Sequence, residues 1–150
     1  MNITVIRTTS IYGPFDNFDP KFSHVIPGLI KKFYISKKII VWGNKKIIRD
    51  FVYVKDLVKV MFDASNFKKG LTFNFSSGKG TSIFKLVKTL KKIFNSKKKI
   101  IFPNNNLSSV KYRVLSNLKI NKLLKIKRTN LEDGLEETIE WYKKNYFFDE

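Results

Sequence analysis

Apolar and polar positions along the chain run in two rhythms. Ile3–Arg7 is apolar on both faces, as a buried parallel strand is, and it leads into a turn at Gly13–Pro14. From His24 to Ile35 the residues Val25, Ile26, Leu29, Ile30 and Phe33 recur at helical spacing, with Pro27 accommodated in the first turn. Ile39–Trp42 reads as a short strand stopped by Gly43–Asn44, and Phe51–Val54 as another after a basic loop. Leu57, Val58, Met61, Phe62 and Ser65 then mark a second helix.

Leu71–Phe75 is a third apolar strand, closed by Ser76, Ser77 and Gly78. Thr81 or Ser82 can cap the helix that carries Ile83, Phe84, Leu86, Val87, Leu90, Ile93 and Phe94 at a clear 3.6-residue period. Ile100–Phe102 is followed by the polar stretch PNNNLSSVK and a short helix near Leu118–Leu124. The run Thr129-Asn-Leu-Glu132 reads as a capping box for a last helix through Leu131, Leu135, Thr138, Ile139 and Tyr142. Strands alternate with helices throughout, with no repeat and no obvious linker, so the expectation is one α/β portion over residues 1–150. Two strands apolar on both faces call for a parallel sheet with several neighbours, and the chain supplies few.

Composition narrows the chemistry. With 43% hydrophobic and 15% aromatic residues, 150 residues suffice for a packed core. There is no cysteine, which excludes disulfides, thiolate metal sites and a cysteine nucleophile within this chain, and a single histidine makes a transition-metal site a poor fit. The first residues lack the pattern of a signal peptide, and no apolar run reaches the length of a membrane span, so a cytoplasmic protein without membrane contact is expected.

The net charge of +18 taken alone would suggest nucleic acid. Its distribution argues against that, because lysines recur along the whole chain as a solvated basic surface would. Arginine, by contrast, occurs only at positions 7, 49, 113 and 128. A lysine-rich chain that keeps arginine at a position has reason to need a planar fork there.

In sequence order the chain contains RTTSIYGP, HVIPGLIKKF, IIVWGNKKIIRDFVYVKDLV, FNFSSGKGTSI and LEDGLEETIEWY. These five blocks resemble, in the same order, the C-terminal half of the extended short-chain dehydrogenase/reductases that act on nucleotide sugars, also called the NAD-dependent epimerase/dehydratase family. Within that family the DNFDPKFSHVIP segment is most similar to the GDP-L-fucose synthases. The resemblance implies the last strands of a Rossmann-type parallel sheet plus the C-terminal substrate-binding subdomain, with the N-terminal dinucleotide-binding half absent. It also implies a reaction: epimerisation of GDP-4-keto-6-deoxy-mannose at C3 and C5, then reduction of the C4 ketone by NADPH.

Under this resemblance His24 matches a histidine that acts as acid and base in the epimerisation. Imidazole suits that task because it can take and return a proton near neutral pH. The alternative is a histidine that merely bonds the turn at a helix start. Lys32 stands where the family often has an arginine beside the nucleotide diphosphate; it keeps the charge and loses the fork. Trp42 and Arg49 match residues associated with the GDP-sugar, Trp42 being equally suited to a core and Arg49 expected on a phosphate. Arg113 matches a basic substrate-contact position. The segment Thr8, Thr9, Ser10 and Ile11 falls where the family lines the nicotinamide end of NADP, with Ser10 replacing a usual asparagine. The loop after Ser10 is expected to carry Asp16, Asn17 and His24 toward a sugar. Asn104–Asn106 departs from the family's Pro-Asp-Gly.

No glycine-rich turn opens a helix after a first strand, so the pyrophosphate cradle is missing and Gly78-Lys-Gly80 is only a turn. The family's catalytic serine and its Tyr-x-x-x-Lys pair precede the RTTSIYGP block. Tyr34 and Lys38 share that spacing but stand on the other side of the turn, as coincidence would place them. The expectation is therefore a chain inactive alone, with an apolar edge and face open to water and possible need of a separate N-terminal half. Three alternatives stay open: a UDP- or dTDP-sugar epimerase or dehydratase, a basic nucleic-acid module, and a vestigial fragment.

Overall fold

A computed structural model describes residues 2–103 and 110–146. In chain order the elements are β1 (Val5–Thr8), β2 (Ser10–Tyr12), α1 (Val25–Ile35), β3 (Ile39–Ile40), β4 (Ile48–Tyr53), α2 (Val54–Ser65), β5 (Thr72–Phe75), β6 (Gly80–Ser82), α3 (Ile83–Ile93), β7 (Ile100–Ile101), β8 (Tyr112–Arg113), α4 (Leu118–Leu123) and α5 (Leu131–Tyr146). The Asn104–Asn106 stretch singled out from the sequence lies outside the described residues.

Strand β1 pairs in parallel with β5, from Val5 opposite Thr72 to Thr8 opposite Phe75. The parallel sense is the one expected of the two apolar strands. After Thr9 the chain turns to a different sheet, where β2 runs parallel to β4 with Ser10 opposite Phe51. Strand β4 also pairs antiparallel with β6 and parallel with β8, so that Arg49 stands opposite both Thr81 and Arg113. The short β3 runs parallel to β7.

Alternation along β4 divides the interior. Phe51 and Tyr53 enter a core shared by α1, α3 and α5, with Ile26, Leu29, Ile30, Phe33, Leu86, Val87, Leu90 and Leu135. Val52, pointing the other way, joins a second core with Val60, Ala64, Phe73, Phe75 and Ile120. One strand thus ties the β1–β5 layer to the layer of three helices.

Several sequence expectations shift. The second helix starts at Val54, inside the stretch read as a strand, and its apolar positions split into two stripes. Val60 and Ala64 are buried, while Val58, Met61 and Phe62 are exposed, Phe62 at 72%. The helical period holds, and of the residues that mark it Leu57 packs against the second core while Val58, Met61 and Phe62 face water. Ile3 and Val5 are exposed as well, so the strand read as buried on both faces is half open. Among the described residues β1 has β5 as its only ladder partner, which leaves an edge and an apolar face uncovered.

The last helix is capped one residue later than the capping box suggests. Asn130 Oδ1 accepts from the Asp133 N–H at 3.0 Å. Thr129 instead donates its N–H and its hydroxyl to the two oxygens of Asp56, both at 2.8 Å, and Glu132 pairs with Lys92. A carboxylate on α2 competed successfully for the threonine, and the neighbouring Asx side chain took the cap. At α3 the sequence left Thr81 and Ser82 open; Ser82 is the cap, accepting from Lys85 N–H.

Candidate functional site

The loop between β2 and α1 begins with Gly13 at φ +148°, where a Cβ would lie 2.4 Å from Val54. Glycine is required here both by conformation and by the closeness of α2. The backbone N–H groups of Asn17, Asp19 and Lys21 are then taken by the side chains of Asp16, Asn17 and Asp19 in turn. Phe18 plugs the loop into the aromatic cluster of Trp141, Tyr142 and Tyr146 on α5. A polar loop is thereby held rigidly enough to deliver His24 to the start of α1.

His24 is exposed, occupies the N-cap position, and makes no capping bond with its side chain. Pro27 sits in the first turn, as expected. One turn further on, Lys32 donates from Nζ to the carbonyl of Ile40 at 2.8 Å, tying α1 to β3. Partial burial lowers the pKa of this ammonium. Trp42 follows β3 and is 63% exposed, which removes the core reading of this residue. His24, Lys32 and Trp42 line one cavity of about 450 Å³ together with Ser23, Lys31 and Val41. Three sequence-predicted site residues therefore converge, from the loop, α1 and the end of β3.

Arg49 and Arg113 form a second group. They are opposite each other on β4 and β8, and Arg49 Nη1 donates to the carbonyls of Ile48 and Val110 at 2.9 and 2.8 Å. Burial, and then the neighbouring Arg113 charge, lower the Arg49 pKa. Expected only on a phosphate, Arg49 also fastens the backbone that leads into β8. Two guanidinium groups of like charge on adjacent strands form a place that favours an anion.

Thr8, Thr9, Ser10 and Ile11 cross from the β1–β5 ladder to the β2–β4 ladder. The Oγ1 atoms of Thr8 and Thr9 are buried and have no hydrogen-bond partner. Ser10 lies opposite Phe51, two residues along β4 from Arg49. Buried hydroxyls without partners suit a polar ligand end, the amide of a nicotinamide included. A pyrophosphate finds no comparable place at Gly78-Lys79-Gly80. There the Gly78 N–H and the Ser77 N–H and hydroxyl are all donated to Asp50, and a Cβ on Gly78 would meet Asn117 at 3.1 Å.

Sequence reading passed over the group that holds this turn. Asp50 is fully buried, Ser76 exchanges bonds with Asn117, and Arg128 donates to the carbonyl of Ser76 and to Asn121 while lying over the Phe75 ring. Arg128 is retained for a fork, as its rarity suggested, and the fork is structural. Lys31 and Ser23, which line the cavity, were also missed; a lysine in a chain this basic carries no signal of its own. Among the described residues no cluster of three metal-ligating side chains exists, and no helix is long and apolar enough to cross a membrane.

Comparison with known proteins bears on the fold. Residues 1–74 match the NAD dependent epimerase/dehydratase family. GDP-L-fucose synthase 1 of Arabidopsis thaliana is 30% identical over 143 residues, covering 91% of this chain and 44% of that protein. The crystal structure of a GDP-L-fucose synthetase from Naegleria fowleri bound to NADP superposes with a TM-score of 0.85 at 26% identity, over 95% of this chain and 47% of the other. A UDP-N-acetylglucosamine 4-epimerase from Methanobrevibacter ruminantium, in complex with UDP-N-acetylmuramic acid, shares the fold with a TM-score of 0.88 at 20% identity. The chain spans a little under half the length of these relatives.

Proposed function

We propose that this chain, which matches the NAD dependent epimerase/dehydratase family over residues 1–74 and is similar over most of its length to GDP-L-fucose synthases, is the substrate-binding portion of a nucleotide-sugar epimerase/reductase of the GDP-L-fucose synthase kind. The observation that carries this reading is the convergence of His24, Lys32 and Trp42 on one cavity. In this reading Trp42 offers a flat apolar surface to a base or sugar face, and Lys32, Arg49 and Arg113 answer the diphosphate. His24 exchanges the proton on one face of the carbon next to the sugar's ketone, and inversion there needs a second acid or base on the opposite face, supplied from beyond the described residues. The carbanion so formed is stabilised as an enolate by the ketone itself, so the residue has only to exchange a proton.

NADP, when bound, supplies the hydride that reduces the ketone. Thr8, Thr9, Ser10 and Ile11 would meet its nicotinamide end, as the unpartnered threonine hydroxyls suit. The described residues offer no cradle for its pyrophosphate, so the dinucleotide needs residues beyond them. This chain purified alone is therefore expected to show no reduction of a GDP-4-keto sugar by NADPH, and turnover by the isolated chain would refute this. Supplied with the dinucleotide-binding half of a GDP-L-fucose synthase, it is expected to support solvent-deuterium uptake at C3 and C5. Uptake should disappear in His24→Gln, and unchanged uptake in that variant would remove His24 from the chemistry.

A further inference from the structure

A second cavity, of about 480 Å³, opens between β6, α3 and the start of α5, and it shares no lining residue with the one that holds His24, Lys32 and Trp42. Arg49 belongs elsewhere too. Its guanidinium donates to the carbonyl of Val110, just before β8, and β6 pairs with the opposite edge of β4. Thr81 of β6 lines the second cavity, is only 9% exposed, and its hydroxyl makes no hydrogen bond among the described residues. A hydroxyl so withdrawn from bulk water needs a partner, and the cavity is where one can enter. The surrounding charge is mainly positive. Lys79 and Lys85 line the same space, and neither ammonium has an ion pair among the described residues. The turn at Gly78 spends backbone N–H groups on Asp50 and leaves the Lys79 side chain unspent. Arg128 uses Nε on Ser76 and Nη2 on Asn121, and keeps Nη1. Glu132, the acidic member of the lining, is paired with Lys92 at 2.7 Å.

We infer that this cavity is a binding site for the phosphate group of a small molecule, the Thr81 hydroxyl donating to a phosphate oxygen and Lys79 and Lys85 balancing its charge. The backbone adds to this. Asn130 caps the Asp133 N–H, which leaves the N–H groups of Leu131 and Glu132, at the cavity wall, without acceptors in their helix. The positive end of α5 therefore faces the anion. Lysines alone would decide nothing on a chain of net charge +18, and a helix start alone is common. The buried, unpartnered threonine hydroxyl is what marks this place out from the rest of the basic surface. The cavity is also larger than a bare phosphate and falls in the range of small-molecule sites, so it has room for the body of the ligand. None of these residues takes part in the nucleotide-sugar reading, and the inference stands or falls apart from it.

Inorganic phosphate serves as the probe, titrated into the ¹⁵N-labelled full chain at constant ionic strength with chloride as the balancing ion. The backbone amides of Thr81, Leu131 and Glu132 are expected to shift together along one saturating curve. Thr81→Val removes the hydroxyl at nearly constant volume and should weaken that curve about tenfold, the effect of one hydrogen bond to a charged group. Lys85→Met should weaken it as well, whereas Lys38→Met, an exposed lysine outside the lining, removes the same charge and should leave it unchanged. Shifts at these amides that never saturate would reduce the site to diffuse attraction and overturn the inference. So would saturable shifts confined to Arg49 and Arg113, or an unchanged curve in a folded Thr81→Val chain. If Thr81→Val does not fold, the double variant Lys79→Met, Lys85→Met decides: a loss of about tenfold or more supports the site, and an unchanged curve overturns it.

Discussion

Asp50 and Arg49 are neighbours with different work. Arg49 was legible in the sequence because arginine is rare in this chain, whereas Asp50, one of 12 acidic residues, gave no such signal. Its importance follows from position, fully buried and receiving three donors from Ser77 and Gly78. Asp50→Ala leaves those donors unpaired and is expected to cost about 3 kcal/mol or more, read as a shifted urea midpoint; a change under about 1 kcal/mol would show that water replaces the carboxylate. Tyr12 sets an alkaline limit. Burial, reinforced by Asp56 and Asp133, raises its pKa well above the usual tyrosine range. A folded-state value above the unfolded one gives stability that is present below pH ~10 and lost as pH rises past it. Tyr12→Phe should flatten the alkaline arm of the stability–pH curve, and an identical arm in both proteins would assign it to other groups.

The same limits of legibility recur in the elements. Helices α1, α3 and α5 came out of the sequence close to their observed bounds, because a single apolar stripe fixes both their existence and their buried face. Helix α2 did not, since it carries two apolar stripes and a periodicity argument cannot say which one meets the core. The cap of α5 was misplaced by one residue for a long-range reason, the bond between Thr129 and Asp56 across 73 positions. Asn130→Ala should therefore destabilise by about 1 kcal/mol in thermal unfolding, as loss of an N-cap does, and an unchanged midpoint would contradict the assignment. Gly134 gives a sharper test. Alanine ordinarily strengthens a helix by ~1 kcal/mol over glycine, but here its Cβ would meet the Tyr12 hydroxyl at 2.3 Å and Tyr53 at 3.1 Å. Gly134→Ala is expected to lower stability by about 1–3 kcal/mol, and a gain would mean that Tyr12 yields at little cost.

For the molecule as a whole, the two layers differ in completeness. The layer built on α1, α3 and α5 encloses its own core. The β1–β5 layer leaves Ile3, Val5, Val58, Met61 and Phe62 in water, as the sequence foretold when it supplied too few neighbours for two apolar strands. Replacing Met61 and Phe62 by lysine should reduce self-association of the isolated chain in sedimentation, with its folding midpoint little changed; unaltered association would place the sticky surface elsewhere. What the sequence could not yield was the meeting of His24, Lys32 and Trp42 by distance alone. Those residues come together through the Lys32–Ile40 tie between α1 and β3.

The central claim is that this chain carries a nucleotide-sugar site, and calorimetric titration tests it most directly. Wild type and Arg49→Ala are titrated with GDP-mannose, and with UDP-glucose for comparison, after circular dichroism shows both proteins folded. Binding of GDP-mannose in preference to UDP-glucose, weakened about tenfold or more when the arginine fork is removed, is the predicted result. A folded wild-type chain that takes up neither nucleotide sugar would contradict the claim.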